Sequence, residues 1–258
     1  MEARECHVVI IGAGLGGLAT ATAISKAGHK VTLIRSNSPV RYIVQILKKT
    51  SRLVLASKSR LIPRALLKQL DVLDAVRSYS IQPDNPQLRS YQDAITLSRL
   101  DLVPYMEDTY GAPWLLIHRA NFQEVLAAKA DSMEVDILLG CSVSKDVFSN
   151  LYVSSASGDV ELHADAIIGG DGLHSIWRTE VQPGTLRITG DIAYRVTIKA
   201  ENIRQHENLV PLLGSPNINA WMGPRAHVVS YVLKGTGLYT FVFICRTRLD
   251  RIEDMREF

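Results

Sequence analysis

A glycine turn set between two different periodicities constrains this chain more than any other feature. Val8 to Ile11 is a short β-branched run, Gly12-Ala13-Gly14-Leu15-Gly16-Gly17 follows, and an alanine-rich stretch continues through Lys26. The natural reading is a buried strand, a tight turn and a helix, with Gly28 as the helix stop and Val31 to Ile34 as a second strand. This is a βαβ unit. Gly12 permits the sharp turn, Gly14 lets backbone approach a diphosphate, and Gly17 lets the helix pack closely on the strand. The helix amino end adds free N–H groups and a partial positive charge. The arrangement predicts dinucleotide binding. About 20 residues on, where such sites place an acid for the adenosine ribose, the chain has Arg35. A guanidinium cannot accept hydrogen bonds from a ribose diol, although it can pair with the 2′-phosphate of NADP.

With 258 residues, 47% hydrophobic and 21% charged, the chain has enough apolar side chain to form a real core. Its net charge of +3 lacks the concentrated basic stripe of a nucleic-acid-binding protein. Cys6, Cys141 and Cys245 are scattered and the 7 histidines form no ligand pair at helical spacing, so the expectation is no metal, no disulfide framework and a reducing, cytoplasmic setting. The apolar stretch from His7 to Ile24 is preceded by Glu2, Arg4 and Glu5 and broken by glycines, so it reads as soluble structure rather than a membrane span or signal peptide.

From Ser36 to Leu70 no acid occurs among eight basic residues, a run that reads more readily as a solvated face than as a phosphate or membrane contact. Leu61, Ala65, Leu66, Leu70, Leu73 and Val76 predict an amphipathic helix over Arg64 to Arg77, and Pro83, Pro86 and Pro104 predict loops and short strands beyond it. Arg119 falls near the start of a helix carrying Phe122, Val125 and Leu126, where it could swing towards a cofactor or simply sit at the surface. Gly158-Asp159 reads as a turn between strands Leu151 to Ser154 and Val160 to His163. Asp165 to Gly170 is a further strand ending in Asp171-Gly172. Asp171 is there either a ribose ligand at the sheet's carboxyl edge or a cap on a strand-to-helix turn. After Arg187, strand alternation puts Ile192, Tyr194, Val196 and Ile198 on one face and Ala193, Arg195, Thr197 and Lys199 on the other. Lys234 to Gly237 joins Val228 to Leu233 with Leu238 to Ile244 as a hairpin.

Four ordered stretches carry a family resemblance: Ile10 to Gly17, Leu116-Ile117-His118-Arg119, Ile168 to Arg178, and Ala193-Tyr194-Arg195 with Trp221-Met222-Gly223-Pro224, extended by His227 to Tyr231. Together they resemble the FAD-dependent aromatic hydroxylases of the salicylate and p-hydroxybenzoate hydroxylase type, especially fungal members that oxidise polyketide phenols. The resemblance implies an α/β fold: a Rossmann-like FAD-binding domain over 1–182, incomplete at the C-terminus, and an antiparallel β-sheet substrate domain over 183–258. It implies a monooxygenase taking FAD, NAD(P)H and oxygen and hydroxylating an aromatic or polyketide-derived phenol in secondary-metabolite biosynthesis. Gly12, Gly14 and Gly17 would hold the FAD diphosphate, Arg119 would contact the flavin side, and Asp171 with Gly172 would form the family's Asp-Gly motif. Arg195 and Tyr231 match positions that bind and orient the substrate phenolate, against the plain readings of an exposed strand arginine and a packed strand tyrosine.

Three departures from the family pattern stand out. Arg35 replaces the ribose acid, no glycine loop is found between Val40 and Lys58, and the chain stops at Phe258 before the family's second FAD motif. They leave a second expectation beside the first: a truncated, non-catalytic remnant or partner-binding protein of the same fold, or one whose site another chain completes. An NADP-dependent reductase ranks last, because no Tyr-x-x-x-Lys pair occurs.

Overall fold

The computed structural model describes residues 4–35, 56–57, 64–111, 113–144, 150–155, 158–173, 175, 177–178, 184, 189–214, 218–234 and 237–246. In chain order the elements begin with β1 (His7–Ile11), α1 (Leu15–Lys26), β2 (Lys30–Arg35), β3 (Ala56–Ser57), α2 (Arg64–Gln69), α3 (Leu73–Ser78), β4 (Ser80–Ile81), β5 (Gln87–Ser90) and β6 (Thr96–Arg99). Next come α4 (Leu102–Tyr110), β7 (Leu116–His118), α5 (Arg119–Asp131), β8 (Asp136–Leu139), β9 (Ser142–Ser144), β10 (Asn150–Ser155), β11 (Gly158–His163) and β12 (Ala166–Gly169). The last are β13 (Asp191–Lys199), α6 (Ala200–Arg204), a 3₁₀ turn (Val210–Leu213), β14 (Asn219–Gly223), β15 (Ala226–Leu233) and β16 (Leu238–Arg246). They fall into two compact units, one of Met1–Lys49, Leu67–Leu73 and Ala120–Thr185, the other of Thr50–Leu66, Asp74–Arg119 and Leu186–Phe258.

The first unit is built on a parallel sheet ordered β12-β1-β2-β8. Parallel strands are covered on both faces, which is why β1 and β2 are continuous apolar runs. Val9, Ile10 and Leu33 are fully buried and Ile34 nearly so, each contributing about 1.5–3 kcal/mol. Helix α1 lays Leu18, Ala21 and Thr22 inward, and the Thr22 hydroxyl donates to the Leu18 carbonyl at 2.9 Å, so no polar group is stranded. It closes at Gly28, whose φ of 87° suits glycine. A small antiparallel sheet, β11-β10-β9, supplies Leu151 and Val153 to a cluster with Val9, Ile11 and Ile34. Its hairpin closes at the Ser155–Gly158 pair, so Gly158 and Asp159 belong to the strand and not to the turn.

The expected helix over 64–77 is two helices. Asp71, at φ 52°, ends α2 in the left-handed region, with the Val72 N–H donating back to the Leu67 carbonyl at 2.9 Å. The Asp71 carboxylate pairs with Lys26 at 2.6 Å and Lys129 at 3.7 Å, which lowers its pKa. The break changes the inward face: Leu67 is buried and Leu66 is exposed. Leu61, the side chain of Ala65 and most of the basic run lie outside the described residues. Pro104 does not break the chain; it sits in the first turn of α4, where its missing N–H costs nothing.

The second unit centres on a six-stranded sheet, β13-β16-β15-β14-β5-β6. It is antiparallel as expected except for one parallel pair, β14 with β5. One face holds Arg195, Val242, Val229 and Tyr231, the other Ser230, Tyr239, Asn219 and Arg89, as cross-strand register dictates. On the second face Arg89 donates to Asn219 Oδ1 at 3.0 Å and to Gln87 Oε1 at 2.7 Å. Asn219 donates to the Tyr239 hydroxyl at 3.4 Å, which shares a 2.8 Å hydrogen bond with Ser230. Among the described residues no helix is long and apolar enough to cross a membrane, and no cluster of three His, Cys, Asp or Glu side chains could hold a metal.

Tyr239 is fully buried at the centre of that network. Tyr239→Phe therefore strands Ser230 and Asn219, and a denaturant titration is expected to show a loss of about 1–3 kcal/mol. An unchanged midpoint would mean the network contributes nothing.

Candidate nucleotide cradle and the arginine and tyrosine face

The cradle forms where three glycines meet. Gly12 turns the chain at φ 110° while its N–H donates to the Ile34 carbonyl at 2.8 Å. A Cβ on Gly12 would lie 2.4 Å from the Gly170 carbonyl oxygen, and one on Gly17 would lie 1.8 Å from that of Gly12. Neither position admits a side chain. Gly14 differs: a Cβ there would meet nothing within 4 Å. Gly14 is the N-cap of α1, with no side-chain hydrogen bond to the first turn and no acid in it. Among the described residues the helix therefore presents uncompensated N–H groups and positive dipole to an open space, the requirement for seating a diphosphate.

Parallel pairing brings Asp171 to this edge. Ile11 pairs with Gly169, the Gly170 N–H donates to the Ile11 carbonyl at 2.7 Å, and the Asp171 nitrogen would be 2.7 Å from a Cβ on Gly12. Asp171 is half-buried, and Gly172 begins a turn at φ 86° in which the Ser175 N–H donates to its carbonyl at 3.2 Å. Two motifs far apart in sequence thus share one end of the sheet. Sequence reading missed Gln123, whose side-chain amide donates to the Ala13 carbonyl at 2.9 Å and pins the turn from α5; its place on the helix face beside Phe122 was the available signal. It also missed Gly170 as the third member of the glycine contact.

Arg35 stands at the carboxyl end of β2. It is half-buried, its Nη1 is closed to solvent without a hydrogen-bond partner among the described residues, and burial lowers its pKa. The residues present therefore fit a dinucleotide at the diphosphate, while at the adenosine end they offer a donor where a ribose diol is best held by an acceptor. Arg119 is the first residue of α5 and is exposed.

In the second unit Arg195 and Tyr231 share a face. Arg195 pairs with Val242 and Val242 with Val229, while Tyr231 pairs with Thr240 and Thr240 with Thr197. Arg195 is exposed and Tyr231 is 2% exposed, in a cluster with Leu116, Val229, Leu233 and Val242. The Tyr231 hydroxyl has no hydrogen-bond partner among the described residues. Burial pushes its pKa up to about 12, with the Arg195 charge pulling the other way. It is a neutral donor at any physiological pH. A separate cleft of about 470 Å³ at the sheet's end, lined by Asp191, Arg225, His227 and Arg246 among others, includes neither Arg195 nor Tyr231.

Comparisons with known proteins show which proteins the chain and its fold are similar to. The chain is 31% identical over 246 residues to the FAD-dependent monooxygenase OpS4 of Beauveria bassiana, covering 93% of this chain and 55% of that protein. It is 24% identical over 252 residues to a 3-hydroxybenzoate 6-hydroxylase of Klebsiella oxytoca, covering 95% and 58%. The chain thus spans a little over half the length of these relatives. Among solved structures it resembles CtdE in complex with FAD (TM-score 0.70, 18% identity, 96% of this chain and 61% of that one). It also resembles Klebsiella pneumoniae HpxO with FAD and uric acid (TM-score 0.72, 18% identity, 95% and 57%).

Gly14→Ala fills open space, so it should leave the melting temperature within about 2 °C while weakening ADP binding at least roughly tenfold by calorimetry. Gly17→Ala drives a methyl into backbone and should lower the melting temperature by roughly 5 °C or more. Equal effects of the two would contradict the cradle. Tyr231, with its folded pKa of about 12 raised above 10.0, contributes stability that is fully present below pH 10.0 and lost as pH rises through about 12. Burial raises the pKa of Tyr239 as well, so absorbance titration of tyrosinate should show a late phase that Tyr231→Phe diminishes but does not abolish. The family described as FAD binding domain matches residues 5–232, the span that contains the glycine contact, Asp171 and Tyr231, and the chain belongs to that family.

Proposed function

We propose that this chain is the cofactor- and substrate-binding part of an FAD-dependent monooxygenase that hydroxylates an aromatic or polyketide-derived phenol with NAD(P)H and oxygen, in secondary-metabolite biosynthesis. The observation that carries the reading is the open cradle at Gly14 beside Asp171, in a chain 31% identical to a fungal FAD-dependent monooxygenase. Gly12, Gly14, Gly17 and the amides of α1 hold the FAD diphosphate, with Asp171 and Gly172 bounding the same edge and Arg119 serving the flavin side. When bound, FAD supplies the redox chemistry that activates oxygen.

The protein's own contribution on the substrate side is electrostatic. Arg195 stabilises the phenolate of the substrate, which makes the ring a better nucleophile towards an electrophilic oxygen. Tyr231, held neutral by burial, donates a hydrogen bond that orients the same ring. Its burial among Leu116, Val229 and Val242 excludes water, which favours coupling of the reductant to product. The cytoplasm, with its supply of NAD(P)H, is the proposed setting. We also propose the division of labour read from the sequence, a Rossmann-like FAD-binding domain over 1–182 and a β-sheet substrate domain over 183–258.

A second reading, a non-catalytic protein of this fold that binds a partner, draws on Arg35 in place of a ribose acceptor. Flavin absorbance titration of the purified chain separates the two: uptake of FAD supports the first reading, and a colourless protein that takes up none overturns it. In the flavin-loaded protein Arg195→Gln should reduce kcat/KM for a phenolic substrate by roughly 10- to 100-fold, the worth of one charged hydrogen bond. An unchanged kcat/KM would remove Arg195 from the site.

A further inference from the structure

The six-stranded sheet of the second unit treats its two faces differently. On the face with Asn219, Ser230 and Tyr239, buried polar side chains are joined in the hydrogen-bonded network described above. On the opposite face of the same two central strands, Tyr231 and Thr240 form a directly opposed pair, 2% and 0% exposed, and neither hydroxyl has a hydrogen-bond partner among the described residues. Trp114, half-buried and packed against the Tyr231 cluster, adds an indole N–H in the same condition. Buried polar groups left unpaired are rare in native proteins, and three around one apolar cluster call for a molecule that completes them.

We propose that Thr240 and Tyr231 together seat a ring substrate bearing at least two oxygen atoms, one acceptor for each hydroxyl. This rests on the reading of Arg195 and Tyr231 as the substrate face. Thr240 carries its hydroxyl one bond from Cβ, close to the sheet, whereas Tyr231 carries its own at the far end of a ring. The two stand at different heights above one face, so a ligand with a single oxygen satisfies one and leaves the other stranded. A site built around donors rejects an analogue lacking the acceptor more strongly than it rejects a change of size. Both oxygens are closed to solvent, so the ligand enters by displacing a side chain. Trp114 is the largest partly exposed side chain packed on the cluster. Thr240 thus becomes a specificity residue, selecting multiply oxygenated rings over simple phenols.

The test is calorimetric binding of 3-hydroxybenzoate and of phenol to the flavin-loaded chain and to its Thr240→Val and Tyr231→Phe variants, with a thermal melt of each. Valine keeps the branched shape and removes only the hydroxyl. The parent protein is expected to bind 3-hydroxybenzoate at least roughly tenfold more tightly than phenol, and Thr240→Val to shrink that ratio to about threefold or less without lowering the melting temperature. A parent ratio near one overturns the proposal. So does a Thr240→Val protein that melts lower yet keeps the parent ratio, which marks the threonine as structural. If Tyr231→Phe weakens both ligands while Thr240→Val changes nothing, the paired seat fails and the substrate-face reading stands. If Tyr231→Phe also changes nothing, that reading fails with it.

Discussion

The contact on which the first unit depends is the approach of α1 to the end of β1, close enough that Gly17 has room for nothing beyond hydrogen against the Gly12 carbonyl. That approach sets where the helix begins, and so where its unpaired amides point. Gly170 packs into the same place from β12, which carries Asp171 to the edge of the turn. One steric requirement therefore couples three segments of chain and, among the described residues, leaves open space at the amino end of the helix, at Gly14 and Gly16. A larger residue at Gly12, Gly17 or Gly170 would be paid for in the geometry of all three.

Local signals made this part of the molecule legible. β-branched runs, a glycine spacing and an alanine-rich helix each report on their own neighbourhood, and here they agree with the global fold. The hairpin of β15 and β16, the alternation of β13 and the strand before Asp171 were readable for the same reason. What could not be read depended on contacts between distant segments. The helix break at Asp71 coincides with ion pairs from its carboxylate to Lys26 and Lys129, neither of which is a neighbour in sequence. Pairing of β14 with β5 joins Asn219 to Gln87, and no periodicity announces a parallel partner that far away. Gln123 is an ordinary helix residue until the fold places the Ala13 carbonyl within its reach.

The six-stranded sheet of the second unit was legible to a lesser degree. Strand alternation put Arg195 and Thr197 on one face, but which face would be polar and satisfied, and which polar and unsatisfied, depends on cross-strand neighbours. Ser230 and Tyr231 are adjacent in the chain and both buried; the hydroxyl of one is tied to Tyr239, and that of the other has no hydrogen-bond partner among the described residues. The first arrangement rigidifies the sheet and the second leaves a buried hydroxyl unsatisfied. Burial has opposite uses on the two sides of one strand, and it also keeps Tyr231 protonated while Arg195 remains a charge in contact with solvent.

The central claim is that a diphosphate rests on the amino end of α1. Amide chemical shifts of the ¹⁵N-labelled chain, followed during titration with FAD, test it most directly. The account predicts the largest shifts at Gly14, Leu15, Gly16 and Gly17, saturating together with flavin uptake. Shifts concentrated elsewhere, with these four amides unmoved at saturation, would contradict it.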